Sequence, residues 1–149
     1  MSFEQDIKDL YKRYNKAIKV YYNGRGLIFK MYFKRSAYDF LFEADTAFRT
    51  CLVPAFRDEN IDKLIQINKP KAIERLQARA RGCAYTASVL DYISTLDVSN
   101  GFQQQAIDII ADVKCRLVEQ TKQSIYKADE LSVETGHDKF NMKEFEFLN

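Results

Sequence analysis

The chain has 149 residues, a mass of 17.4 kDa and a formal net charge of +2, enough for one domain and too little for two with separate substantial cores. Its 46% hydrophobic and 30% charged residues, with nine Tyr, eleven Phe and no Trp, exclude a disordered chain, and five Gly with two Pro exclude the turn-rich sandwiches and barrels. No apolar run approaches the roughly 18 to 20 residues that cross a bilayer, and the opening MSFEQDIKDL lacks the basic and then apolar pattern of a signal peptide, so a cytoplasmic protein is expected.

Ser2 followed by Gln5 is a capping-box pattern that opens a first helix with the apolar stripe Phe3, Ile7, Leu10, Tyr14, Ile18 and Tyr21. At about 100° per residue, Lys8, Lys12, Lys16 and Lys19 fall on the opposite face and are expected to be exposed. Asn23-Gly24-Arg25-Gly26 ends this helix; the segment also fits a β-hairpin from Val20 to Phe29, and the helix-to-helix turn is the preferred reading. A second helix follows from about Leu27 to Phe56, with a main stripe of Phe29, Phe33, Ala37, Phe40, Ala44, Phe48, Cys51 and Ala55, and with Pro54 to kink or end it. Met31, Tyr38, Phe42 and Phe56 form a second apolar line well away from the first, so this helix is either central in the fold or packed on another copy of the chain.

After a polar connection with a short helix over Asp62 to Ile67, Asn68 and Pro70 mark the start of a third helix, whose inner face is Ile73, Leu76, Ala80, Cys83, Ala87 and Leu90. Lys71, Arg75 and Arg79 make a basic stripe beside that face, and Gly82 in mid-helix would allow another helix to approach closely. Past a loop at Leu96 to Gly101, with Ser99 as candidate cap, a fourth helix runs from Phe102 to about Glu130 on Phe102, Ala106, Ile109, Val113, Leu117, Thr121 and Ile125. From Leu131 periodicity fades, and Phe140, Phe145 and Phe147 alternate loosely with charges, which suggests a tail that docks on a groove or stays mobile until it meets a partner. The expected fold is all-α: an antiparallel up-down-up-down four-helix bundle over residues 1–130 with a C-terminal tail over 131–149.

Cys51, Cys83 and Cys115 each lie inside a helical apolar pattern with no CxxC or Cys/His pair, which predicts buried reduced thiols rather than disulfides or a zinc site. No catalytic constellation stands out. There is no inward Glu-x-x-His pair and no phosphate loop; His137, the one histidine, sits in the tail, and Glu43 and Asp45 are two apart, which does not place them on one helix face. No enzyme, cofactor or metal is expected.

Charge is distributed unevenly. Residues 8–35 carry nine bases, Lys8, Lys12, Arg13, Lys16, Lys19, Arg25, Lys30, Lys34 and Arg35, against the single acid Asp9, and residues 69–81 carry Lys69, Lys71, Arg75, Arg79 and Arg81 against Glu74. With Tyr21 and Tyr22 at the turn as stacking groups, these residues form a candidate surface for RNA or DNA, Lys71, Arg75 and Arg79 being the contribution of the third helix. Met31, Tyr38, Phe42 and Phe56 form a candidate homo-oligomer interface.

From Tyr11 to Gln123 the order of parts resembles a known family. A lysine-rich first helix leads through a basic turn into Phe33-Lys34-Arg35-Ser36-Ala37-Tyr38-Asp39-Phe40-Leu41-Phe42-Glu43-Ala44, and Ala72-Ile73-Glu74-Arg75-Leu76 leads through Leu96-Asp97-Val98-Ser99 into Phe102-Gln103-Gln104-Gln105. This resembles the small four-helix bundles that include the accessory variability proteins of diversity-generating retroelements and proteins encoded in intervening sequences of large-subunit rRNA genes. The resemblance implies a ring-shaped homo-oligomer that binds RNA through basic residues and supports a reverse transcriptase without catalysing anything itself. The alternative is a protein-interaction module, such as an adaptor, an antitoxin-like partner or a phage-encoded inhibitor, acting through helix faces and the aromatic tail.

Overall fold

The computed structural model describes residues 3–21, 43–52, 60–94 and 101–135, and these are helical apart from the two asparagines that cap helices, Asn60 and Asn68. Helix α1 spans Phe3–Tyr21; α2 comprises an α-helical stretch over 43–47 that passes into a π-helical turn at Phe48–Leu52; α3 spans Ile61–Ile67, α4 Lys69–Ser94 and α5 Gly101–Thr135. Among the described residues there is no strand, and no helix is long and apolar enough to cross a membrane.

The caps explain the helix boundaries. Asn60 Oδ1 accepts from Lys63 N at 3.2 Å, and Asn68 joins two helices. Its N–H donates to Leu64 O at 2.7 Å, closing α3, while its Oδ1 accepts from Lys71 N at 3.2 Å, opening α4 as its place before Lys69 and Pro70 predicts.

Helix α5 is the centre of the described structure, with α4 and α1 packed against it. Rising numbers on α4 meet falling numbers on α5: Lys114 pairs with Asp91 at 2.6 Å, Ile125 packs with Ala80 and Ala84, and Ala128 and Leu131 pack with Ile73 and Leu76. Helix α1 is likewise antiparallel to α5, with Gln120 donating to Asp6 at 2.8 Å and Arg13 paired with Asp112. Serving two neighbours, α5 buries a face wider than the single stripe the sequence suggests: Ile110 is fully buried and Ile109 only half so. The hydroxyls of Thr121 and Ser132 enter this face by donating to the carbonyls of Leu117 and Ala128, at 2.9 and 2.8 Å. The helix also continues to Thr135, past the expected end near Glu130, with Leu131 and Ser132 buried.

The expected apolar stripes of α1 and α4 are observed in outline. Ile7, Leu10, Tyr14 and Tyr21 of α1 are buried, with Phe3 and Ile18 half-buried, and every expected inner residue of α4 from Ile73 to Leu90 is buried. In α2, Ala44 and Phe48 are core and Cys51 is half-buried; residues 27–42 and 53–56 of the expected second helix, residues 22–29 of the hairpin alternative, whose Val20 and Tyr21 are helical, Ser2, Ser99 and the tail beyond Thr135 lie outside the described residues. Phe48 is central, its ring stacked on Tyr11 at 5.3 Å and tilted against Tyr14 at the same distance.

Gly82 lies where α2 presses on α4. A β-carbon there would lie 3.0 Å from the Cys51 carbonyl oxygen and 3.1 Å from Leu52 Cδ2. Alanine gains about 1 kcal/mol of helix propensity, but a backbone oxygen cannot swing away, and overpacking of this kind costs about 1 to 3 kcal/mol. Gly82→Ala is therefore expected to lower the urea-unfolding free energy by about 1 kcal/mol; a rise of that size would show that α2 recedes freely.

The cysteine expectation needs correction. Cys83 is buried, but Cys51 is half-buried and Cys115 exposed. Cys115 lies two residues from both Val113 and Leu117, each fully buried, which turns it about 200° away from the core. Burial pushes the Cys83 thiol from 9.0 to about 12, outweighing the opposing pull of Arg79, so it stays protonated and inert. Thiol titration of the native protein is expected to label Cys115 at once and Cys83 only on unfolding; rapid labelling of Cys83 would refute its place in the core.

Candidate nucleic-acid interface

Helix α1 turns one face to the core and the opposite face to solvent. Lys8, Lys12, Lys16 and Lys19 are all exposed, centred about 180° from the buried line Ile7, Leu10, Tyr14 and Tyr21. Lys8 pairs with Glu4 at 2.9 Å, one turn back. Lys12, Lys16 and Lys19 make no ion pair with any described residue, and no acid occurs in α1 after Asp9. Arg13 is exposed too but leans to the side, where it joins Asp112 of α5 and so ties α1 to its neighbour. Its charge is partly spent within the fold.

The basic stripe of α4 does not hold together. Lys71 is exposed, Arg75 half-buried and Arg79 only 7% exposed, with its Cζ 4.5 Å from the centroid of the Phe3 ring. Each four-residue step turns the helix about 400°, so the stripe drifts about 40° per step and enters the buried face at Arg79. Arg79 is thus corrected from a surface contact to a residue of the α1–α4 junction. Because α1 and α4 both oppose α5, they run parallel, with Phe3 level with Arg79. Lys71 then lies about 25 Å along the axis from Lys12, at 1.5 Å per residue. The two basic groups occupy different ends of the molecule. Arg25, Lys30, Lys34 and Arg35, and the candidate interface residues Met31, Tyr38, Phe42 and Phe56, lie outside the described residues.

Glu43 and Asp45 serve different partners. Tyr85 Oη donates to Glu43 at 3.1 Å, while Tyr11 Oη donates to Asp45 at 2.8 Å and accepts from Arg49 Nε at 2.8 Å. Arg49 closes this cluster on Asp45 at 3.0 Å. Contacts spanning 34 to 42 positions of sequence carry no local pattern and are not readable from spacing. Among the described residues no group of three or more His, Cys, Asp or Glu could hold a metal ion.

The described residues are all-helical, and on the outward face of α1 Lys12, Lys16 and Lys19 make no ion pair with any described residue. No family model, curated protein or solved structure matches the chain significantly.

Proposed function

We propose that the protein is a non-catalytic nucleic-acid-binding accessory protein that engages the phosphate backbone through the exposed face of α1. The observation that carries this reading is the line Lys12, Lys16 and Lys19, one lysine per turn with no ion pair to any described residue, on the side of α1 away from the core. A salt bridge would hold such side chains at the surface; without one, their charge is available to displace the counterions of a polyanion. The sequence continues the same charge into Arg25, Lys30, Lys34 and Arg35. In this reading α2 is the visible end of the second helix of an up-down-up-down four-helix bundle. The resemblance to retroelement accessory proteins makes RNA the favoured ligand and a reverse transcriptase the favoured protein partner, with a homo-oligomer as the assembled form.

A second reading, the protein-interaction module, draws on exposed apolar groups. Tyr126 and Val133, 67% and 68% exposed, are seven residues apart and share one face of α5. Fluorescence anisotropy with labelled single- and double-stranded RNA and DNA at low salt separates the two. Sequence-tolerant binding is expected, strongest for RNA; the absence of binding to all four would favour the interaction module.

A further inference from the structure

The outward face of α1 offers charge but no ring. From Lys8 to Lys19 its exposed positions are Lys8, Lys12, Arg13, Asn15, Lys16 and Lys19, none of them aromatic. The four aromatic side chains of the helix are all engaged by the fold: Phe3 lies 4.5 Å beneath the Arg79 guanidinium, Tyr11 stacks on Phe48 at 5.3 Å, and Tyr14 and Tyr21 are only 1% and 4% exposed. Tyr21 is thus corrected from a stacking group to a core residue.

The flanks of α1 are covered as well. On one side Arg13 is joined to Asp112 of α5, and on the other Tyr11 donates to Asp45 of α2 at 2.8 Å. An α-helix with its side chains is about 10 to 12 Å across and fills a major groove about 12 Å wide, so it reads base edges only when most of its girth can enter. With a neighbour along each side, α1 presents a ridge instead. Its lysines meet phosphates, and the groove floor stays beyond them.

Contact with phosphates alone does not treat all strands equally. Each neutralised phosphate contributes about 0.9 to the slope of log K against log salt on a duplex and about 0.7 on a single strand, because the duplex carries charge more densely along its axis. For three lysines at about 20 mM salt the difference amounts to about one unit of log K, tenfold in favour of the duplex. A single strand makes up such a margin by stacking its bases, each stacked base strengthening binding by about fivefold or more. About two stacked bases would reverse the order, and the outward face of α1 has no ring to stack even one.

We propose, on the basis of the phosphate-contact reading of α1, that the preferred ligand is double-stranded nucleic acid, held along its backbone by Lys12, Lys16 and Lys19. Single strands bind the same row, but more weakly. Duplex RNA and duplex DNA share the backbone chemistry on which this preference rests.

Fluorescence anisotropy of the whole chain tests the strand form with probes of about 20 nucleotides per strand: an RNA duplex, the matching DNA duplex, oligo-deoxythymidine, and a strand of the same length without bases. At about 20 mM salt the duplexes are expected to bind about tenfold more tightly than either single strand, with slopes of log K against log salt of about −2.7 and −2.1. Removing the bases should leave single-strand affinity unchanged, and the tighter of the two duplexes identifies the sugar. Lys16→Ala, at an exposed position, should reduce the two slopes to about −1.8 and −1.4. Single strands that bind as tightly as both duplexes, or a baseless strand that binds more weakly than oligo-deoxythymidine, would overturn the duplex preference and leave the phosphate-contact reading standing. No binding to any probe would overturn both.

Discussion

Phe48→Ala is expected to lower the urea-unfolding free energy by about 3 to 5 kcal/mol, the range for emptying a buried aromatic site. Phe48 is 0% exposed and contacts both Tyr11 and Tyr14, so its loss opens a cavity where α2 meets α1 through these rings. The cavity cannot collapse easily, because Leu52 on the next turn of α2 is already held against Gly82. Phe48→Leu retains much of the volume and should cost less, since it loses the ring contacts but leaves a smaller void. A change below about 1 kcal/mol in Phe48→Ala would mean that α2 is not part of the cooperative core.

The second large effect is on binding. Changing Lys12, Lys16 and Lys19 together to Glu lowers the net charge by six and places repulsion where the proposed contact lies. RNA affinity at low salt should fall at least about a hundredfold, since each lost phosphate contact removes counterion release and each new carboxylate opposes approach. Stability should change by no more than about 0.5 kcal/mol, because the three positions are exposed, make no ion pairs with described residues, and Lys and Glu have similar helix propensities. Circular dichroism and a urea melt check this half of the expectation. Changing Lys71 and Arg75 to Glu should reduce affinity much less, as they lie toward the other end of the molecule. A loss equal to that of the α1 triple variant would place both groups on one ligand.

Much of the architecture was legible because it is written in local periodicity. The α1 and α4 stripes, the Asn68 cap and the close approach at Gly82 are all decided within a few turns of helix, and the structure places them as expected. Sequence and structure part where a spacing of four drifts round the helix or where a polar residue is buried. The line Lys71, Arg75 and Arg79 looks straight in sequence but spirals into the core, and Cys115 sits among apolar residues yet faces outward. Gln120, Thr121, Ser124 and Ser132 are polar and buried because α5 has neighbours on two sides. The open cleft between α1, α4 and α5, lined by Gln120, Ser124 and Lys127, carries a weak signal: these three recur at helical spacing beside an apolar stripe. Arg79, from another helix, could not be added without the packing.

The central claim, that the α1 lysines engage a phosphate backbone, is tested most directly by measuring wild-type affinity for single-stranded RNA across a range of salt concentrations. Three neutralised phosphates predict a slope of log K against log salt of about −2, at roughly 0.7 per contact on a single strand, and steeper if Arg25, Lys30, Lys34 or Arg35 join the contact. A slope near zero, or no binding even at the lowest salt, would contradict it.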